Sequence, residues 1–151
     1  MTSRKIDEKK LCVSVVDVLN SVALKIYKES WTNKNSDPLT APSRIFFSIW
    51  VNDKTLKKNT LYYNIHALKL RQLSAYAIES TKFAKSFRAK FKKFEGDWPN
   101  VSTDFGPLTL MEGWHALNGE PIEEIVAILA NNFIKIDSLI DETLAEFKRP
   151  K

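Results

Sequence analysis

The side chains that can act as nucleophile, acid–base catalyst or metal ligand are few: His66, His115, Cys12 and the strand carboxylate Glu112. Two histidines and one cysteine cannot supply zinc-finger or His-Glu-x-x-His spacings, so no metal site is expected. The sequence holds no Gly-x-Ser-x-Gly elbow, phosphate-binding loop, dinucleotide fingerprint or calcium loop, so no cofactor is expected either. Cys12 sits between Leu11 and Val13 in an apolar run read as helix, where a thiol is buried and inert. A metal-dependent nuclease would carry an acid on one strand, then a second acid and a lysine close behind. The first two predicted strands have no acid, and Glu112 has no such lysine after it. His66 and His115 fall on predicted strands, and pairing of those strands could let their rings approach. Glu112 beside Trp114 and His115 is the polar cluster to follow. Its simpler reading is an exposed strand face, with the histidines half-buried and satisfied. With neither substrate nor reaction indicated, the chain reads first as a non-catalytic binding domain, and an enzyme without a recognisable motif, centred on Glu112, His115 and His66, is the last alternative.

Charge says more about binding. Residues 44–93 carry twelve Lys or Arg against Asp53 and Glu79, whereas residues 94–147 carry eleven acids against Lys135 alone. Within the cationic block, Phe83, Phe87, Phe91 and Phe94 recur at four, four and three residues, an aromatic stripe along one side of a helix. Lys82, Lys85, Arg88, Lys92 and Lys93 fall across the other side, with Lys90 beside the stripe. Such a face suits phosphates, each contact displacing condensed counterions. Lys57 and Lys58, in the turn between two predicted strands, extend it, as do Lys54, Lys69 and Arg71. Phe46, Trp50 and Tyr62 offer flat rings to unpaired bases if their side of the sheet is open. Nucleic acid is therefore the first expected partner. The alternative is a protein partner or a second copy of the chain, docked on an acidic last helix whose apolar arc is broadened by Ile128, Ile134 and Ile140.

The elements that must position these residues follow from periodicity. Leu11, Val15, Val18, Leu19, Val22, Ala23 and Ile26 recur at three- and four-residue spacing, which predicts a helix over 6–27, with a strand as the alternative that the many valines allow. A polar, proline-bearing loop follows over 31–43. Ile45, Phe47, Ile49 and Val51 then alternate with Arg44, Phe46, Ser48 and Trp50, which predicts a strand over 43–51. A second strand over 61–70 makes it a hairpin across a turn at 52–59. Ser80 is the expected N-cap of the phenylalanine-striped helix and Gly96 its end. A third strand is predicted over 108–117, with Gly113 as a bulge. Asn118-Gly119 turns the chain into a last helix reaching about Phe147, with Pro121 in its first turn. The expected fold is α+β, order α-β-β-α-β-α: a small antiparallel or mixed three-stranded sheet packed with three helices.

With 151 residues and a net charge of +5, the chain fits one domain, with short loose ends over 1–5 and 148–151. A single cysteine allows no internal disulfide and suits a reducing, cytoplasmic setting. No apolar run of membrane-spanning length is present, so no membrane association is expected.

Overall fold

The computed structural model describes residues 7–18 and 20–150, and among them five strands form one antiparallel sheet in the order β1-β2-β3-β4-β5. The strands are β1 (Cys12–Val18), β2 (Ser21–Tyr27), β3 (Arg44–Val51), β4 (Thr60–Leu68) and β5 (Thr109–Ala116). Three α-helices accompany them among the described residues: α1 (Asp53–Lys57), α2 (Ser80–Phe91) and α3 (Ile122–Glu146). The α+β class stands, but the three-stranded sheet and the first helix are overturned.

The segment expected as a helix over 6–27 is a hairpin, with Val13 opposite Ile26 and Val15 opposite Leu24. Residues 6 and 19 of that segment lie outside the described residues. The helical spacing did not report one buried side. Ala23 and Ile26, three apart within β2, face opposite sides of the sheet, Ala23 beside Trp50 and Ile26 beside Phe47, so a step of three in this segment joins residues of different surroundings. Asn20 adopts φ +66°, which asparagine tolerates better than most residues. The valines then favour extended backbone, where a branched Cβ packs without crowding a preceding helical turn. Cys12 accordingly lies on an outer strand and is only half-buried; burial, and then Glu29, raise its thiol above the ordinary value.

The β3–β4 hairpin forms where alternation placed it, Phe47 opposite Ile65 and Ser48 opposite Asn64. The expected plain turn between them contains α1. Asn52 accepts from the Thr55 amide at 2.9 Å, and Thr55 Oγ1 accepts from the Asn52 amide at 3.0 Å, a reciprocal cap. Ser80 is the first residue of α2 rather than its cap; Glu79 holds the cap position, and its side chain makes no capping bond. The helix tightens into a 3-10 segment over Lys92–Asp97 rather than stopping cleanly at Gly96. The β-bulge lies at Ile65/His66, opposite the start of β5, and not at Gly113. Asn118 and Gly119, with φ +49° and +77°, make the expected turn.

Alternation gives the sheet two unlike faces. Ile45, Phe47, Ile49, Leu61, Tyr63 and Ile65 point to one side and are buried there under α2 and α3. A chain of rings joins the layers: Phe87 stacks on Phe91 at 5.8 Å, Trp98 lies 5.7 Å from Phe47, and Phe47 stacks on Phe133 at 4.4 Å. Each such buried ring contributes roughly 2–3 kcal/mol of transfer free energy. The wide apolar arc of α3 is mostly spent inside the molecule, since Ile134 and Ile140 are buried and Ile128 is exposed. The buried carboxylate of Asp137 anchors α3: Lys9 donates to it at 2.7 Å, and Lys28 lies 3.3 Å from it while donating to Asp141 at 2.6 Å. The expected loose C-terminal end is tied back, with the Arg149 amide donating to the Ala75 carbonyl at 3.2 Å. Residues 1–5 and 151 lie outside the described residues.

Candidate binding groove on the open face of the sheet

The opposite side of the sheet carries Lys25 of β2, Arg44, Phe46, Ser48 and Trp50 of β3, Tyr62, Asn64 and His66 of β4, and Glu112 and Trp114 of β5. Register sets them in rows: Lys25 beside Ser48, Ser48 beside Asn64, Asn64 beside Glu112, and likewise Trp50, Tyr62 and Trp114. Small residues at the centre, Ser48 and Ala23, leave a groove of about 500 Å³ between these rows. That size lies within the ~300–1,000 Å³ usual for sites taking small organic groups. Its lining comes from β2 to β5 and Asn52, with no residue of α2 or α3. Larger depressions near Asn33–Tyr76 and near Lys9–Asp141, of about 680 and 740 Å³, lie among loops and chain ends and lack this convergence of rings and charges.

The groove combines flat surfaces with unspent polar atoms. Lys25 Nζ lies 4.4 Å from the centre of the Phe46 ring and the Arg44 guanidinium 5.1 Å from it, while His66 packs at 5.4 Å. Trp50 and Tyr62 lie 5.0 Å apart at 34°, and Trp114 continues the row with more than a third of its surface exposed. Asn64 is 4% exposed; its Nδ2 donates to Glu112 Oε1 at 3.3 Å, and its Oδ1 has no partner. Arg44 donates through one terminal nitrogen to the Ala41 carbonyl at 2.5 Å, but its buried Nε is unpaired. Buried polar atoms are nearly always paired, and leaving one unpaired costs about 1–3 kcal/mol. Two such atoms belong to residues that line one groove.

Burial, and then the neighbouring Arg44, lower the Lys25 ammonium below its ordinary value. Burial likewise lowers the His66 imidazole, with Lys25 and Arg44 adding to the effect and the Leu108 carbonyl and Glu112 opposing it. His66 Nδ1 lies 3.4 Å from the Leu108 carbonyl oxygen and 3.3 Å from Thr109 Oγ1. Glu112 is held rigidly: its backbone exchanges hydrogen bonds of 2.8 and 3.0 Å with Ser102, and the 102 segment covers the outer edge of β5.

The two histidines do not meet. His66 stands opposite Thr109 on the open side, whereas His115 stands opposite Leu61 at the far end of the ladder, on the helix side, and its Nδ1 lies 2.6 Å from the Ala116 carbonyl oxygen. Of the expected polar cluster, Glu112 and Trp114 lie on the open side and His115 is apart, while His66 shares the groove with Glu112.

The basic residues of α2 divide in the same way. Arg88 is half-buried; its Nε donates to the Leu110 carbonyl at 3.0 Å and its Nη2 to the Thr109 carbonyl at 2.8 Å, with Phe105 and Gly106 also within reach. It fastens α2 to β5 and is committed within the molecule. Lys90 pairs with Glu146 and Ser86, joining α2 to α3. Lys82, Lys85, Lys92 and Lys93 are exposed, Lys82 lying 3.5 Å from Glu79 in a surface pair of little energetic weight. Lys57 and Lys58 are exposed at the end of α1. None of these six lysines lines the groove.

Sequence reading missed Lys25, because it lay in a segment read as helix, and Asn64, whose importance comes only from its missing partner. Alternation had already put Phe46, Trp50 and Tyr62 on one side. Among the described residues no group of three His, Cys, Asp or Glu could hold a metal ion, and no helix is long and apolar enough to cross a membrane. Comparison with protein-family models, curated proteins and solved structures returns no match.

Proposed function

We propose that the protein is a non-catalytic binding domain for single-stranded nucleic acid, with the open-face groove taking an unpaired base. The observation that carries this reading is the row Trp50–Tyr62–Trp114 beside a groove lined by Phe46, Lys25 and Arg44, with no helix among the described residues in its lining. Rings of this kind stack on bases of any identity, each stacked base worth about 1–3 kcal/mol. Lys25 and the unpaired Arg44 Nε suit a phosphate oxygen. The lysines Lys82, Lys85, Lys92, Lys93, Lys57 and Lys58 supply long-range attraction and backbone contacts away from the base. A duplex would hide the base edges and faces that the groove is shaped to take, so single strands are preferred.

The test is fluorescence anisotropy with labelled single- and double-stranded oligonucleotides at several salt concentrations. Single strands bind more tightly, with an affinity that falls with salt at a slope near −0.7 per phosphate contact. Trp50→Ala weakens binding roughly 5- to 100-fold, the loss of one stacked base. Charge reversal of Lys82, Lys85 and Lys92 together weakens it further and flattens the salt slope. No binding at low salt, or equal binding of Trp50→Ala in a folded state, overturns the reading.

A further inference from the structure

We infer that the groove selects guanine, through the acceptors of Glu112 and Asn64; this rests on the nucleic-acid reading above. A carboxylate is an unfavourable neighbour for phosphates, yet Glu112 lines the same groove as Lys25 and Arg44. Beside it on the paired strand, buried Asn64 leaves Oδ1 without a donor. Asn64 Nδ2 already donates to Glu112 Oε1, which fixes the amide with its oxygen free and the carboxylate in place. The pair is therefore rich in acceptors and needs a ligand edge made of adjacent donors.

Among the four bases only guanine has such an edge, with N1–H and the N2 amino group side by side. The carboxylate of Glu112 accepts from both, and Asn64 Oδ1 accepts the second amino hydrogen. Adenine and cytosine set a ring-nitrogen acceptor beside their amino group, which faces the carboxylate with like charge. Thymine and uracil offer one N–H between two carbonyls. A site with buried polar groups discriminates strongly against ligands that leave them unpaired. The ring itself lies against the aromatic lining, with the phosphate toward Lys25 and Arg44, an arrangement shared by a guanine in a strand and a free guanine nucleotide.

The experiment compares an eight-residue thymidine oligonucleotide with versions carrying one central guanine, adenine, cytosine or hypoxanthine. Guanine binds roughly tenfold or more tightly than the other three natural bases, in line with a bidentate base contact. Hypoxanthine, which keeps N1–H and lacks the amino group, loses most of that advantage and needs no protein variant. Glu112→Gln, checked for unchanged folding by circular dichroism, removes the guanine preference. Equal affinity for all the strands overturns guanine selection and leaves the strand reading standing. No binding of any strand overturns both. Displacement by guanosine monophosphate at the same concentration as the guanine strand supports guanine selection and moves its source to the free nucleotide.

Discussion

Replacing Gly113 with alanine tests whether β5 is held where the groove needs it. A Cβ at that position would lie 2.3 Å from Tyr63 Oη, 2.6 Å from Tyr63 Cζ and 3.0 Å from the Asn100 carbonyl oxygen. Tyr63 cannot yield cheaply. Its ring is fully buried against Trp98 at 5.1 Å, and its hydroxyl donates to the Pro99 carbonyl at 2.6 Å. To restore ordinary contact the ring must retreat by about an ångström, which strains the core by ~1–3 kcal/mol. The same movement strands the hydroxyl, a further ~1–3 kcal/mol. The expected loss is about 3 kcal/mol, or a fall in Tm of about 6–12 °C for a domain of this size. Urea unfolding followed by circular dichroism measures it. A double-mutant cycle assigns it: in a Tyr63→Leu background the added methyl group meets no ring, and its cost falls below about 1 kcal/mol. A Gly113→Ala protein within about 0.5 kcal/mol of the parent, or an equal cost in both backgrounds, refutes the reasoning. Because Glu112 and Trp114 flank Gly113, the same variant also weakens strand binding.

Three further outcomes follow from the packing. Burial lowers the His66 imidazole below its ordinary value of 6.5, so its contribution to stability is complete above pH 6.5 and is lost as pH falls through the folded-state value. Tm of the parent therefore drops more steeply below pH 6.5 than that of His66→Gln, and parallel profiles would count against a buried neutral histidine. Arg88→Ala costs about 2–3 kcal/mol in urea unfolding because it strands the Leu110 carbonyl, whereas Lys85→Ala costs under about 0.5 kcal/mol; equal costs would mean that Arg88 is an ordinary surface cation. Asp137→Asn costs about 1–3 kcal/mol, less than a fully isolated buried pair, because Lys28 keeps Asp141 and Lys9 is partly solvated. A variant as stable as the parent would show that the carboxylate is not an anchor.

Where one element reports its own burial, the sequence was legible. The alternation over 44–51, the phenylalanine steps of α2, the long apolar pattern of α3 and the Asn118-Gly119 turn each encode which side of a local structure faces away from water, and each formed as expected. The placement of Phe46, Trp50 and Tyr62 on one side of the sheet followed from the same period-two rule.

Tertiary structure decided what depends on partners distant in the chain. Whether the 12–27 segment became a helix or two strands turned on pairing with β3, since its spacing fitted both and only the ladder gave its backbone extended partners. Arg88 looked like any cation on a polar helix face until the carbonyls of 105–110 folded against it. The histidines, which strand pairing could have brought together, were separated because register set them at opposite ends and faces of one ladder. Asn64 became informative only through the bond its oxygen lacks. Local periodicity reports the direction of burial, but the satisfaction of a polar atom is settled between segments that meet only after folding.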